Sequence, residues 1–300
     1  MLQKMKHFLA MLFSVALLFS GGLTPVMAQE SPASYAVTFM GNVTDAGQCV
    51  SGMRIDFGQD VTKVEGIDHN TFTVNFTDTV AVGANKDKAY AYVDASKPLP
   101  VVKTEVNGSV VTVYFQLNAL PTLNWLAEGR NYPANLTLSV KQNNAITLTK
   151  TTETPDKRTL EETSVLDTDT VYTNSVSSWK DLEDAETAKF TSVQDTVNYQ
   201  YHEGSNKALI VWFHGNGEGD LEGNRTNNNV AQMLGNRGTV AWVSDEAQSV
   251  FGNATVMAFQ SPDTWYYAVK NDYLGAVKAE IDKVVLAKGA NSGSSVHVFR

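Results

Sequence analysis

The sequence predicts two folded parts in series: an all-β sandwich over residues 33–150 and an α/β unit with a parallel sheet over residues 189–300. Three observations predict it. Short segments of the first part alternate apolar and polar residues. Two segments of the second part, one of them a continuous apolar run, read as strands buried on both faces. A long amphipathic stretch then leads into a third β-forming run. With 300 residues, 43% of them hydrophobic and 18% charged, the composition excludes a disordered chain. A single cysteine, Cys49, excludes a disulfide-stapled miniprotein and is expected to be buried. A net charge of −9 argues against a basic surface for nucleic acid.

Residues 1–28 read as a secretory signal peptide. Lys4 and Lys6 give a cationic start, residues 8–19 are apolar apart from Ser14, and Val26-Met27-Ala28 suits the cleavage positions. The apolar core is shorter than the roughly 20 residues of a bilayer span. No cysteine follows it to carry a lipid. The expectation is cleavage before Gln29 and a secreted or cell-envelope-associated protein with no stable membrane span.

The strands of the first part are read from period-two patterning and turn residues. Tyr35-Ala36-Val37-Thr38-Phe39-Met40 is rich in β formers. Gly52-Met53-Arg54-Ile55-Asp56-Phe57 alternates, and Thr71-Phe72-Thr73-Val74-Asn75-Phe76 places Phe72, Val74 and Phe76 on one face. Ala89-Tyr90-Ala91-Tyr92-Val93 follows, then Val110-Val111-Thr112-Val113-Tyr114-Phe115 after an Asn107-Gly108 turn. Leu136-Thr137-Leu138-Ser139-Val140 and Ala145-Ile146-Thr147-Leu148 complete a set of the immunoglobulin-like type. His69, in the turn Asp68-His69-Asn70, is expected in solvent rather than on a metal.

Residues 151–188 are rich in Thr, Glu and Asp and read as a polar linker with one short helix near residues 178–189. Ser177-Ser178-Trp179-Lys180 matches a Ser-x-x-Lys pattern, but the companion Ser-Asp-Asn and Lys-Thr-Gly elements are absent, so it is read as chance.

In the second part, Ala208-Leu209-Ile210-Val211-Trp212-Phe213 and Ala254-Thr255-Val256-Met257-Ala258-Phe259 read as strands buried on both faces. Helices are expected near residues 227–236 and over residues 272–288, the latter closed by Gly289. Ser295-Val296-His297-Val298-Phe299 begins a third strand, which makes a parallel arrangement the expected one.

The segment that bears on chemistry is His214-Gly215-Asn216-Gly217-Glu218-Gly219-Asp220, where a buried strand opens into a glycine-rich loop. Glycines let main-chain amides come close to a bound oxygen. Amides aimed at an oxygen that gains negative charge are what acyl transfer needs. An ordinary strand-to-helix turn uses the same residues, and the loop alone does not separate the two readings.

His214-Gly215-Asn216-Gly217-Glu218 resembles the His-Gly-x-Gly-Glu oxyanion loop of secreted α/β-hydrolases of the esterase and predicted-peptidase type. Phe259-Gln260-Ser261-Pro262-Asp263-Thr264-Trp265 is a permuted form of the Pro-Gln and Trp segment that often follows there. The first part is similar to the immunoglobulin-like amino-terminal domain fused to some of these esterases, through Gly47-Gln48, Met53-Arg54-Ile55-Asp56-Phe57 and Thr71-Phe72-Thr73-Val74. The resemblance makes residues 189–300 the amino-terminal half of an α/β-hydrolase domain. It implies an exported serine hydrolase acting on a small ester, an acylated carbohydrate or a peptide. The nucleophile elbow Gly-x-Ser-x-Gly, and the acid and histidine that follow it, are then expected beyond Arg300, so that the chain is truncated and inactive alone.

By that resemblance Asn216 would offer the oxyanion amide, with Gly217 in reserve and Gly215 allowing close approach. Glu218 and Trp265 would line the site, although a packing role for Trp265 is equally open. His202, His214 and His297 are the histidines of this half, and nothing places a serine beside them. No metal-ligand spacing occurs, and the loop lacks the Gly-Lys-Ser/Thr ending of a phosphate loop, so neither metal nor organic cofactor is expected. The acidic runs Asp245-Glu246 and residues 181–186 are expected as solvated faces. The rival reading is a non-catalytic extracellular module that binds polysaccharide or cell-wall material through the β-sandwich.

Overall fold

The computed structural model describes residues 35–78, 95–126, 130–167, 171–176, 179–219, 229–270, 272–289 and 296–299. The expected signal peptide, the run 89–93, the first residues of the helix expected near 227–236 and the stretch 290–295 lie outside these residues. Strands and helices are numbered along the chain.

Period-two patterning becomes a buried face wherever it is clean. In β4 (Phe72–Asp78) Phe72, Val74 and Phe76 are buried, with less buried residues between them. The same holds for Val111, Val113 and Phe115 in β6 (Val110–Phe115) and for Leu136, Leu138 and Val140 in β9 (Leu136–Gln142). With β1 (Ala36–Thr44), β2 (Gly47–Asp56) and β5 (Val101–Asn107), β6 forms a sheet of order β1-β2-β6-β5. β10 (Ile146–Glu153) lies between β3 (Val61–Glu65) and β11 (Thr159–Leu166). β9 lies between β4 and β12 (Val171–Val176), and β7 (Leu123–Leu126) pairs with β8 (Arg130–Pro133). All these pairings are antiparallel. One core gathers Phe39, Met53, Ile55, Val74, Val113, Leu138 and Ile146 from three of the sheets.

The last sheet has the order β13-β14-β16-β15-β17. β13 (Thr191–Gln194) and β14 (Asn198–His202) make a hairpin, and β14 runs antiparallel to β16 (Thr255–Gln260). β15 (Leu209–Phe213) pairs in parallel with β16 and with β17 (Val296–Phe299). Every residue of β16 is buried, the polar ends Thr255 and Gln260 included, as a strand covered on both faces requires. On one face α4 (Tyr273–Ala287), which follows the short α3 (Trp265–Lys270), brings Val277, Ile281, Val284 and Val285 onto Val211, Met257 and Phe259. It ends at Gly289, whose φ of 65° and N–H bond to the Leu286 carbonyl close the last turn. On the other face α1 (Ala231–Leu234), the 3₁₀ turn Val240–Val243 and α2 (Asp245–Phe251) pack with Ile210 and Val256.

The predicted fold class is corrected by these pairings. Among the described residues neither a two-sheet immunoglobulin-like sandwich nor a parallel α/β-hydrolase sheet forms. The described chain is mostly β, in small and largely antiparallel sheets with few helices. Two physical reasons stand out. Register shifts at Met40/Gly41, Thr149/Lys150 and Val101/Lys103 interrupt the ladders of the first sheets. In the second part the polar, aromatic segment 191–202 turns back on itself at Asp195-Thr196-Val197 and adds two antiparallel strands to the three parallel-aligned ones. Its turn and its mixed polarity gave no buried-strand pattern to read.

Residues 151–188, read from composition as a linker, carry the end of β10, then β11 and β12, which join sheets of the first core, and two 3₁₀ turns at Trp179–Asp181 and Thr187–Lys189. Exposed β11 hides its strand character because only Leu166 of it is buried. The acidic run 181–186 is not simply a solvated face. Asp184 is buried, accepts from Gln48 Nε2 at 3.0 Å and caps the next turn through the Glu186 and Thr187 amides. Asp245 and Glu246 stand in the first turn of α2, where the helix dipole favours them. Cys49 is buried, and burial pushes its thiol pKa up. His69 is exposed.

Two links tie the first strands to the segments that follow them. Gln48, buried between Asp184 and Thr122, donates to the former and accepts from the latter at 2.9 Å. Arg237 forms a two-pronged pair with Glu186 at 2.7 and 2.9 Å and donates to the Val43 carbonyl at 2.9 Å. Arg237→Ala strips this half-buried fork and leaves Glu186 and the Val43 carbonyl without it. The expected cost is about 2 kcal/mol, read as a lowered urea midpoint. An unchanged midpoint would show that the fork does not support the fold.

Candidate functional site

The loop that leaves β15 is pinned by four residues from elsewhere in the chain. His214 is 2% exposed. Its Nε2 accepts the Ser261 N–H at 3.0 Å, which leaves Nδ1 as the donor to the Gly215 carbonyl at 2.6 Å. This is the neutral imidazole with its proton on Nδ1, held as a structural strut. The His214 carbonyl accepts the Trp265 indole N–H at 3.0 Å, and the Trp265 ring packs edge-on against Phe213 at 4.8 Å. Gln260, at the end of β16, donates through Nε2 to the Glu218 carbonyl at 2.8 Å. Asn131, in β8 of the first part, donates its main-chain N–H to the Gly217 carbonyl at 2.9 Å.

Two of the glycines are dictated by space. Gly217 has φ of 109°, open to glycine and strained for other residues. At Gly219 a Cβ would fall 1.6 Å from the Asp263 carbonyl oxygen, so no side chain fits. Among the described residues, the Asn216 and Gly217 N–H groups donate to no acceptor. The loop thus turns its carbonyls into the protein, where they are bonded, and keeps two consecutive amides uncommitted on a rigid backbone. Such a pair of donors can receive an oxygen that is gaining charge.

Glu218 is the unusual member. It is 8% exposed, and its Oε1 takes a long contact of 3.3 Å from Asn236 Nδ2. Its Oε2 is buried without a hydrogen-bond partner, 3.9 Å from His214 Nδ1. Burial raises its pKa above the ordinary carboxylate value, against the lowering effect of the Gly215 N–H and Asn236. Because the His214 Nδ1 proton is spent on the Gly215 carbonyl, this contact is not an ion pair.

The structure therefore gathers Gly215, Asn216, Gly217, Glu218 and Trp265 around one loop. Trp265 acts as a brace under it, through its N–H bond and ring packing. The other histidines stand apart from the loop. His202 Nδ1 lies 3.0 Å from the Lys189 carbonyl, and His297 packs against Phe251. Ser261, whose N–H meets His214, gives its hydroxyl to the Asp263 carbonyl at 2.8 Å. Among the described residues no group of three or more His, Cys, Asp or Glu side chains is arranged for a metal ion. Nor is any described helix long and apolar enough to cross a membrane. Three contributors escaped the sequence: Asn131, Asn236 and Ser261. Asn131 is 86 residues from Gly217, so no local pattern could announce it. Gln260 and Ser261 sit in the permuted segment before Trp265, which was the one available hint.

No family model matches the chain, and no curated protein matches it. Among solved structures, its fold is similar to that of a crystal structure described as a thermostable esterase. The TM-score is 0.59 and the identity 17%, over 88% of this chain and 69% of that one. At this identity the likeness is one of fold.

Two outcomes test the geometry of the loop. Gly219→Ala is expected to cost more than about 3 kcal/mol of stability in urea unfolding, because the clash is with main chain that cannot rotate away. Glu218→Gln tests the buried acid. With its folded pKa raised, the folded state holds the proton more tightly than the unfolded state does. Stability from this group is thus complete below the unfolded value of about 4.3 and falls as pH rises from there through the folded pKa. The Gln variant is expected to gain urea stability relative to the parent between pH 4 and pH 7.5, and an equal difference at both would refute it.

Proposed function

We propose that this chain carries the oxyanion-binding side of an enzyme that hydrolyses carboxylic esters. The observation that carries the reading is the pair of uncommitted amides at Asn216 and Gly217, on a loop whose carbonyls are bonded from behind. The esterase-like fold supports it. Attack on an ester carbonyl turns its oxygen into an anion, and a fixed N–H at Asn216 stabilises that charge without reorganising. Gly217 is the second donor. Gly215 leaves room in front of them, while Glu218 and Trp265 shape the loop. The nucleophile, its base and the acid belong to the family pattern that the loop resembles and are expected after Arg300. Export through the leader at residues 1–28 belongs to the same reading. The substrate is a small ester, an acylated carbohydrate or a peptide.

The test is labelling by a fluorophosphonate probe together with turnover of a p-nitrophenyl acyl ester. It is run on the 300-residue chain and on the product of the gene region that includes the codons after Arg300. The shorter chain is expected to stay unlabelled and the longer product to label and turn over. In the longer product, Asn216→Pro, which deletes the first amide at a position whose φ is not positive, is expected to lower kcat by about 100-fold. A longer product that neither labels nor turns over would overturn the reading.

A further inference from the structure

A cavity of about 320 Å³ lies behind the loop, between the first strands and the end of α1. Its wall combines Gly47, Gln48, Asn118, Leu123 and Asn131 from the first part with Gly235 from the second. That volume falls in the range of roughly 300–1,000 Å³ of small-molecule sites. It is not a packing flaw in an apolar core. Gln48, on its inner wall, is 1% exposed and locked by Asp184 and Thr122, so one polar wall is rigid. Asn118 has φ of 62° and its Oδ1 accepts from Thr44 Oγ1 at 2.7 Å, which fixes its amide and leaves the NH₂ to donate. The Asn131 side chain makes no hydrogen bond with the described residues. Leu123 supplies an apolar floor, and exposed Ala46 and Asn118 place the mouth at the surface.

We propose that this cavity binds a neutral, hydroxyl-bearing small molecule of the size and chemistry of a pyranose, with the Asn118 and Asn131 amides hydrogen-bonded to its hydroxyl groups. The chemistry selects the class. None of the described residues lining the cavity is ionisable, so among them a charged ligand would lose its hydration without gaining a counter-charge. A purely apolar ligand would strand the two amides. A pyranose offers hydroxyls at its rim and a C–H face for Leu123. The site also touches the loop: the Asn131 main chain holds the Gly217 carbonyl, and Gly235 backs onto the Glu218 side chain. The inference stands on the cavity alone and does not require the esterase reading.

The experiment uses the full 300-residue chain and measures binding of xylose and glucose, with glucuronate and glucosamine as charged counterparts, by calorimetry and by side-chain amide shifts in NMR. Saturable binding of a neutral sugar is expected, at least 10-fold tighter than either charged one. Asn131→Leu keeps the main-chain bond to Gly217 and is expected to weaken binding at least 10-fold. Ala46→Trp, an exposed change at the mouth that leaves the core untouched, is expected to abolish it. No neutral-sugar binding at millimolar concentration, equal binding of the charged sugars, or binding that survives Ala46→Trp would each overturn the assignment.

Discussion

A single buried amide holds the second sheet in register with the loop it presents. Asn229 is fully buried at φ of 41°, a conformation that asparagine tolerates better than most residues. Its Nδ2 donates to the Val193 and Tyr199 carbonyls at 3.0 and 3.1 Å, and its N–H donates to Gln260 Oε1 at 2.9 Å. Gln232 donates to its Oδ1, and Gln200 to its carbonyl. One residue thus ties β13, β14, β16 and α1 together. Gln260 continues the chain of bonds through its Nε2 to Glu218. In the interior such bonds resist exchange with water, although the side-chain oxygens of Gln200 and Gln232 are buried there without a partner. The loop is held through the bonds that Asn229 and Gln260 make.

The rest of its rigidity comes from the other half of the molecule. The Asn131 amide reaches Gly217 from β8, and Val43 and Leu123 join the apolar cluster under α1. The first strands are therefore part of the scaffold behind the candidate site and not an appendage to it. Such backing fixes the direction in which the loop's amides point. The cavity arises at the same seam, where two surfaces that bond at Gln48, Arg237 and Asn131 cannot also be flush everywhere.

Glu218 shows how the network handles charge. A carboxylate is placed beside an imidazole that has already spent its proton on a neighbouring carbonyl, so the acid is buried without a full counter-charge. The raised pKa is the physical consequence.

What the sequence determined by itself was local. Strict alternation in residues 72–76, 111–115 and 136–140 and the apolar runs at 209–213 and 255–259 dictate strands, because only those backbones can bury those side chains. The amphipathic stretch before Gly289 dictates α4 in the same way, and the glycines after His214 mark the loop. Tertiary structure decided the rest. Strands such as β11, β13 and β14 carry little apolar patterning and exist because a neighbour pairs with their main chain. The direction of that pairing, antiparallel in most sheets and mixed in the last, is a property of chain reversal at polar turns, which hydrophobic periodicity does not encode. The partners that hold the loop, Asn131 and Asn229 among them, act through main-chain and amide bonds across long sequence separations. No residue type or spacing near position 216 records them.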